Sequence, residues 1–295
     1  MRRANKKEID ADAGPYASMF QTVKISDAQF KKFSELIYQK AGIHLKPEKK
    51  ELLNARLGKR LRACQAGSFK EYYDLVVNDK SGQELIHLID SVSTNFTSFF
   101  REQAHFDFLT NHALPAILQN KPHTDQEVLI WSAACSSGEE PYTLAMVLGE
   151  YLSKYSDWDY RIIATDISTK VLSSAERGIY AMERVNKVPR EILQKYFQKG
   201  VGRSTGFVKI KKDLQRMITF RRLNLMDEFN WEKPFDIIFC RNAMIYFDKV
   251  TQQKLIDKFY QWLAPGGFMC IGHSESLSGL QHGFKQLVAA TYQKQ

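Results

Sequence analysis

Cysteine is scarce in this chain of 295 residues, and the few cysteines lie far apart. None of them forms a Cys-x-x-Cys pair, which is the usual signature of a zinc site or a redox motif. Such scattered positions also do not suggest a disulfide framework. We therefore predict reduced, buried thiols at the four positions, which are Cys64, Cys135, Cys240 and Cys270.

Long apolar runs are also lacking. No stretch approaches the roughly 18 apolar residues that a membrane-spanning helix requires. The first 16 residues, MRRANKKEIDADAGPY, have no apolar centre like that of a signal peptide. Hydrophobic residues make up 44% of the chain and aromatic residues 12%, which is enough for a sizeable core. We expect a globular, cytosolic protein whose residues 1–23 form a flexible tail.

The net charge of +9 is concentrated in two windows. Residues 46–62 contain seven basic and two acidic residues, and residues 184–222 contain twelve basic and two acidic residues. The rest of the chain is therefore net negative. Concentrated positive charge attracts a polyanion or an acidic protein surface. A solvated helix face is the alternative interpretation of either window.

The first part of the chain has a helical pattern. In SDAQFKKFSELIYQKAGIHL the apolar residues recur every three or four positions, and in KPEKKELLNARLGKRLRA leucines recur every four. Lys49, Arg56 and Arg60 form a basic stripe beside those leucines on a helical wheel. Two more helices are expected at residues 68–78 and 82–92. These patterns predict an N-terminal all-helical domain over residues 24–92.

Beyond residue 120 the pattern alternates between strands and helices. The predicted strands are EVLIWSA, YRIIATD, MITFRRLNL, FDIIFCRN, PGGFMCIGHSE and a final LVAATYQK. Such alternation predicts an α/β fold over residues 121–295, with a mostly parallel sheet and helices on both faces. GVGRSTGF and FVKIKK interrupt the pattern, and they predict a small antiparallel β insert at about residues 180–213.

The turn after the first strand, SAACSSGEEPY, indicates the kind of ligand. It has one glycine, Gly138, where a dinucleotide-binding turn has three, and two glutamates follow it. In an open parallel sheet the ligand binds beyond the carboxyl ends of the strands. Glu139 and Glu140 would repel a pyrophosphate and attract a cation, and Asp166 could bind a ribose diol or cap a helix. These features favour S-adenosylmethionine, a phosphate-free cation, over NAD.

Several motifs together resemble one family. STNFTSFFRE, WSAACSSGEEPYTLA, ATDIS, the Asn224-Leu225 pair, FDIIFCRNAMIYFD and GGFMCIGHSES occur in the order and contexts seen in CheR, the chemotaxis-receptor glutamate O-methyltransferase family. The likeness extends over about residues 24–293. It implies a Rossmann-like class I methyltransferase sheet that uses S-adenosylmethionine, releases S-adenosylhomocysteine and needs no metal.

The resemblance also implies the site residues. Residues 93–120 would form a linker and a helix that contacts the cofactor. Arg101 and Tyr246 would lie nearest the transferred methyl group and would be the catalytic residues. One of Glu139 and Glu140 would contact the cofactor; we favour Glu140, but the choice stays open. The remaining implied cofactor contacts are Asn95, Thr97, Arg101, Asp166, Asn224, Leu225, Arg241 and Asn242.

The implied partners are chemotaxis receptors. The basic residues Lys49, Arg56, Lys59 and Arg60 would dock along the acidic face of a receptor methylation helix. The β insert would hold a receptor C-terminal tail peptide in some members of the family. We expect a monomer that neither inserts into a membrane nor binds nucleic acid.

Other functions remain as alternatives. A nucleic-acid methyltransferase would use the same sheet and basic patches, although the sequence has no Asn-Pro-Pro-Tyr base pocket. A scaffold that has lost its chemistry would not need Arg101 and Tyr246. A nicotinamide dehydrogenase would need the pyrophosphate turn that is missing.

Overall fold

A computed structural model describes residues 24–93 and 95–295, so the predicted tail, residues 1–23, lies outside the described residues. The described chain divides into two compact units. The first contains the residues up to Phe33 and Lys46–Val92, and the second contains Ser34–Leu45 and Ser93–Gln295. The first long helix is therefore shared between the units. Within the described residues, no helix is both long and apolar enough to cross a membrane.

The helices of the N-terminal region are α1 (Asp27–Ala41), α2 (Lys50–Ala63), α3 (Phe69–Asn78) and α4 (Gln83–Val92). The leucines of α2 that recur every four residues are buried: Leu53, Leu57 and Leu61. Phe33 of α1 packs against Phe69 and Tyr72 of α3. Ser68 caps α3, because its hydroxyl group accepts a hydrogen bond from the amide of Glu71. The prediction of an all-helical N-terminal region is confirmed.

The other helices, all in the second unit, are α5 (Ala104–Phe108), α6 (Leu114–Asn120), α7 (Glu139–Leu152), α8 (Thr169–Arg177), α9 (Arg190–Tyr196), α10 (Lys212–Gln215) and α11 (Lys249–Trp262). The strands are β1 (Glu127–Ala133), β2 (Asp159–Asp166), β3 (Ile179–Ala181), β4 (Phe197–Lys199), β5 (Phe207–Ile210), β6 (Ile218–Arg222), β7 (Phe235–Cys240), β8 (Leu263–Ile271), β9 (Phe284–Val288) and β10 (Thr291–Lys294).

The main sheet has seven strands in the order β6-β2-β1-β7-β8-β10-β9. The first five are parallel, and β10 pairs antiparallel with both β8 and β9. All residues of β7 are buried, and so are all but the first of β1, as expected for strands covered on both faces. Separate apolar clusters, around Leu144 in one and Trp131 in the other, form the cores of this unit. The predicted α/β fold is confirmed.

The insert forms a second sheet of three antiparallel strands, in the order β3-β5-β4. The predicted antiparallel insert is therefore confirmed. Gly178, with a φ of +59°, ends α8 and leads directly into β3. The helix α8 therefore ends at Arg177, and the chain is already β-strand from Ile179.

The end of the chain differs from its prediction. One strand was expected from LVAATYQK, but β9 and β10 form a hairpin around Ala289 and Ala290. Ala290 adopts a φ of +58°, a conformation that usually selects glycine or asparagine. Because two alanines carry no turn signal, the sequence did not indicate the reversal.

Candidate functional site

The site residues expected in the second unit lie near one edge of the main sheet, where the carboxyl ends of the parallel strands meet. The strand order reverses at β1, which lies between β2 and β7. Ligands of open α/β sheets bind at such a point. Glu139 and Glu140 follow β1, Asp166 ends β2, and Arg241 follows β7.

The turn after β1 depends on one glycine. Gly138 has a φ of +95°, and a Cβ atom there would lie 2.8 Å from the Cβ of Ala175. The neighbouring residue Ser137 accepts a hydrogen bond at its carbonyl from the Tyr180 hydroxyl, at 2.7 Å. The single glycine is thus required both by the backbone conformation and by the close approach of α8.

Asp166 joins this turn to the start of α8. Its buried carboxylate accepts hydrogen bonds from the amides of Ser136 at 2.8 Å and Ser168 at 2.9 Å. The N-cap of α8 is Ser168, whose hydroxyl group accepts from the amide of Val171. The capping role considered for Asp166 therefore belongs to Ser168. Asp166 remains in the position expected of a ribose-binding acid.

Glu139 is completely buried and is paired with an arginine. Ser137 Oγ donates to Glu139 Oε2 at 2.7 Å, and the guanidinium group of Arg184 forms an ion pair with Oε1. Burial raises the pKa of Glu139, whereas the hydrogen bond from Ser137 and the charge of Arg184 oppose that rise. Arg184 comes from the β insert, and no pattern in the sequence indicates this pairing.

Glu140 is paired with a different arginine. Arg241 Nη1 donates to Glu140 Oε2 at 2.9 Å, and Ser132 Oγ donates to Oε1 at 2.7 Å. The Arg241 side chain is only 3% exposed, and its Nη2 also donates to Glu102 Oε2 at 3.1 Å and to the carbonyl of Arg101. Burial lowers the pKa of Arg241, but Glu140 and Glu102 raise it above its ordinary value.

These pairings correct one assumption made from the sequence. Glu139 and Glu140 were treated as unpaired acids that select a cation, but each carries a guanidinium partner. Their repulsion of a phosphate is therefore weaker than the sequence suggested. The choice between the two glutamates as a cofactor contact stays a prediction, because both carboxylates are held in the same way.

The linker lies against the turn after β1 and against α7. Ser136 Oγ donates to the carbonyl of Asn95 at 2.8 Å, and Arg184 Nη2 donates to the carbonyl of Thr97 at 3.4 Å. Arg101 Nη1 donates to the carbonyl of Phe96 at 2.9 Å, and 31% of the Arg101 side chain is exposed. The structure thus brings Asn95, Thr97 and Arg101 to the strand ends.

Asn224 and Leu225 follow β6, next to residues from α1. Asn224 Nδ2 donates to the carbonyl of Lys40 at 2.7 Å. Leu225 is buried, and its carbonyl accepts from Lys258 Nζ at 2.6 Å. These contacts hold the loop, and the amide of the preceding residue, Leu223, donates to the carbonyl of Asp166 at 3.1 Å.

Tyr246 lies in a 3₁₀ turn after β7 and is half-buried. Its carbonyl accepts a hydrogen bond from the amide of His44 at 2.8 Å. Glu275 holds the same loop, accepting from the amides of Asn242 at 2.9 Å and Ile245 at 3.2 Å. Within the described residues, no hydrogen bond is found for the Tyr246 hydroxyl group.

Comparison with models of known protein families shows which family the chain belongs to. The model of the CheR methyltransferase SAM-binding domain matches residues 95–293, and that of the CheR methyltransferase all-alpha domain matches residues 28–93. The chain belongs to the CheR methyltransferase family. It is an S-adenosylmethionine-dependent methyltransferase, so the predicted class of enzyme and the predicted cofactor are confirmed. The NAD and nucleic-acid alternatives are not favoured.

The chain is similar to several curated relatives along almost their whole length. It is 40% identical to the chemotaxis protein methyltransferase of Borreliella burgdorferi over 275 residues, which are 92% of this chain and 96% of the relative. The Escherichia coli K12 protein of the same name is 39% identical over 267 residues, 90% of each chain. The Klebsiella aerogenes protein is 40% identical over 285 residues, 96% of this chain and 95% of the relative.

In this CheR family member, backbone strain is concentrated around the candidate site. Seven non-glycine residues in the described part of the chain have positive φ angles. Five of them lie in the linker or at the strand ends: Phe100, Glu102, Ala134, Ser136 and Asn242. Each such residue costs about 1–2 kcal/mol. Strained residues of this kind are typical of positions where geometry serves function.

Glu102 and two histidines lie close together beside Arg241. Ligand atoms of Glu102, His105 and His273 are within 4.8 Å of one another. Burial, followed by the charge of Arg241, lowers the pKa of His105 to about 4, so the ring is neutral at pH 7. Glu102 is already paired with Arg241, and Arg101 Nε lies 3.9 Å from its other oxygen. Two guanidinium groups would repel a divalent cation, so we assign no metal to this cluster.

The residues expected to dock a receptor belong to the first unit, and one of them pairs with an acid of the same unit. Arg60 makes two hydrogen bonds of 2.6 Å to the carboxylate of Glu84. It is therefore paired with a buried acid, and its part in docking stays a prediction. Arg56 Nη1 donates to the carbonyl of Val92 at 2.5 Å. Lys49 and Lys59 are exposed.

Proposed function

We propose that this enzyme transfers the methyl group of S-adenosylmethionine to glutamate side chains of chemotaxis receptors. The products would be a glutamate methyl ester and S-adenosylhomocysteine. The structural observation that carries the proposal is the contact network of Arg241, which joins the linker to the start of α7 through Arg101 and Glu140. Three curated relatives that cover nearly the whole chain are named chemotaxis protein methyltransferases, which supports this substrate class.

The residues at the strand ends fit S-adenosylmethionine. Asp166 would bind the ribose, and Asn95, Thr97, Asn224, Leu225, Asn242 and a glutamate of the 139–140 pair would line the rest of the site. The amide of Ser136, which a phosphate would otherwise use, already donates to Asp166. A phosphate-free nucleoside suits such a turn better than a dinucleotide. When bound, S-adenosylmethionine supplies an electrophilic methyl group on its sulfonium.

The chain has little chemical activation to provide. A glutamate carboxylate has a pKa near ~4.3 and is already ionised at pH 7, so no general base is required. Alignment of the carboxylate with the methyl group can contribute on the order of 7–11 kcal/mol at best. Arg101 would orient the incoming carboxylate by paired hydrogen bonds. Tyr246 would direct its hydroxyl group or ring edge towards the reacting centre.

We also propose two surfaces that contact the receptor, one on the N-terminal helices and one on the small sheet. The exposed Lys49 and Lys59, with Arg56, would steer the acidic face of a receptor methylation helix. The small sheet has two edge strands, β3 and β4, and a receptor tail peptide could add to one of them. We expect a monomer that acts in the cytoplasm, where the receptor methylation helices lie.

The test is methyl transfer to receptor-containing membranes from tritiated S-adenosylmethionine. We expect incorporated label to be released by base as volatile methanol, as a carboxyl ester requires. Membranes without receptors and a chain carrying Arg101→Met are the controls. Base-stable label, or label in added RNA, would contradict the proposal and favour the nucleic-acid alternative.

A further inference from the structure

One arginine of the β insert contacts two separate parts of the cofactor site. Arg184 lies in the 3₁₀ turn Met182–Val185, immediately after β3. Its Nη2 donates to Ser137 Oγ at 3.3 Å and to the carbonyl of Thr97 at 3.4 Å, and it pairs with the carboxylate of Glu139. A single guanidinium group therefore connects the insert, the turn after β1 and the linker.

The charge of Glu139 depends on this contact. Its side chain is completely buried, and a buried carboxylate without a cationic partner is strongly destabilised in its charged form. Tyr180 and Cys135 are the other titratable groups facing it, and burial raises the pKa of both well above their ordinary values. Both therefore stay neutral at physiological pH. Arg184 is the charge that compensates Glu139.

Arg184 differs from the second connection between the insert and the turn. Tyr180 is buried, donates to the carbonyl of Ser137 at 2.7 Å and packs edge-on against Phe99 at 4.9 Å. By contrast, 43% of the Arg184 side chain is exposed, and its guanidinium group lies 6.0 Å from the Tyr180 ring centre. Tyr180 is thus a fixed anchor, whereas Arg184 can be replaced without opening the core.

We propose that Arg184 is a positioning residue for the cofactor. It joins the linker to the turn after β1 and compensates the buried charge of Glu139, so that the β insert becomes one wall of the cofactor site. The inference rests on the proposed function only in that the site binds S-adenosylmethionine and its product. It adds a role for a residue outside the linker and the strand ends.

The experiment measures the affinity for S-adenosylhomocysteine by calorimetry between pH 5.5 and 8.5, with Arg184→Met, Arg184→Lys, Glu139→Gln and the double variant Arg184→Met with Glu139→Gln. Arg184→Met is expected to bind about tenfold more weakly at pH 7. Relative to wild type, the loss of affinity should be smaller at lower pH, where the uncompensated charge on Glu139 is removed. The reason is that Glu139 without its cation has a higher pKa and takes up a proton as the pH decreases.

The other variants separate charge from structure. Arg184→Lys keeps a cation beside Glu139, so its pH profile should match that of wild type while affinity falls about threefold from the lost bridging hydrogen bonds. The double variant should lose the extra pH dependence. Arg203→Met, at an exposed arginine of the same insert, is the matched control and should bind like wild type.

Two results would overturn the proposal. One is wild-type affinity and an unchanged pH profile in both Arg184 variants, with thermal unfolding confirming that they are folded. The other is an extra pH dependence that persists in the double variant. If Arg184→Met does not fold, the affinity of the folded Arg184→Lys variant for S-adenosylhomocysteine is the test. Wild-type affinity in that variant would then overturn the proposal. Failure of the wild-type chain to bind S-adenosylhomocysteine would instead contradict the proposed function.

Discussion

At the residue scale, arginine side chains hold the segments of the candidate site together. Arg241 reaches Glu140, Glu102 and the Arg101 carbonyl, and Arg184 reaches Glu139 and the linker. A planar guanidinium group can satisfy several acceptors at once, which a lysine ammonium group cannot do with the same geometry. The site is therefore built from fixed charge pairs between segments distant in the sequence.

Arg101 differs from these two because its side chain is not fixed by a carboxylate. Its main hydrogen bond is to the Phe96 carbonyl, and its closest acid, Glu102, lies 3.9 Å away. Arg101→Lys keeps the charge but loses the paired donors. We expect turnover to fall by about 100-fold, with the affinity for S-adenosylhomocysteine changed less.

Initial rates of ester formation at saturating S-adenosylmethionine, together with calorimetry, test this prediction. Arg177→Lys, on the exposed surface of α8, is the matched control and should retain full turnover. Unchanged turnover in Arg101→Lys would exclude an orienting role for the guanidinium group.

At the scale of elements, the ion pair between Arg60 and Glu84 connects α2 to α4. Burial raises the pKa of Glu84, but hydrogen bonds from Arg60 hold it below its ordinary value. The pair therefore stabilises the fold at neutral pH, and this contribution is lost as the pH falls through the lowered pKa of the folded state. Removing Arg60 would leave a buried acid without its cation.

Arg60→Met is expected to lower the free energy of unfolding by about 2–3 kcal/mol at pH 7, less than for a fully buried pair. The unpaired Glu84 would have a raised pKa, so the loss should be smaller at pH 5, where more of it is protonated. Urea unfolding at both pH values measures this effect, with Lys59→Met as the control. An equal loss at both pH values would mean that the charge of Glu84 is not responsible.

Docking of a receptor helix is better tested with the exposed lysines than with Arg60. Lys49→Glu combined with Lys59→Glu should reduce the initial rate of receptor methylation several-fold at low salt and less at high salt, because exposed charges mainly steer encounter. The affinity for S-adenosylhomocysteine should not change. Methylation at the wild-type rate in low salt would exclude these lysines from the docking surface.

Local patterns allowed most elements to be predicted from the sequence, whereas long-range pairings could not be. The apolar run EVLIWSA predicted β1 with the correct ends. The hairpin at Ala289 and Ala290 carried no turn residue. The partners Arg184, Glu102 and Glu275 were missed because a side chain that pairs across tens of residues leaves no periodic signal near either partner.

At the scale of the whole molecule, residues 34–45 differ from the sequence prediction. They were predicted to belong to the N-terminal helical domain, but they lie in the second compact unit. These residues form the end of α1 and the loop that follows it. They belong to the same compact unit as the methyltransferase sheet. They contact two loops, the one after β6 and the one between β7 and α11: the Lys40 carbonyl accepts from Asn224, Tyr38 Oη donates to Asp248 at 2.8 Å, and the His44 amide donates to the Tyr246 carbonyl. Two of these partners are expected site residues.

Tyr38→Phe tests how much this segment contributes. The variant loses the hydrogen bond to Asp248, which also caps α11 by accepting from the amide of Thr251 at 2.8 Å. We expect the free energy of unfolding to fall by about 1–2 kcal/mol. Chemical denaturation measures this free energy. The control is Tyr73→Phe, because Tyr73 is partly buried like Tyr38. A loss no larger than that of the control would contradict a stabilising role.

Because α1 belongs partly to each unit, the N-terminal region cannot simply be exchanged between relatives as one block. A chimera that takes everything before residue 93 from another member of the CheR family would also import a foreign 34–45 segment against Asn224, Tyr246 and Asp248. Grafts that exchange the N-terminal helices should therefore retain the host residues 34–45 and replace only the chain on either side of them.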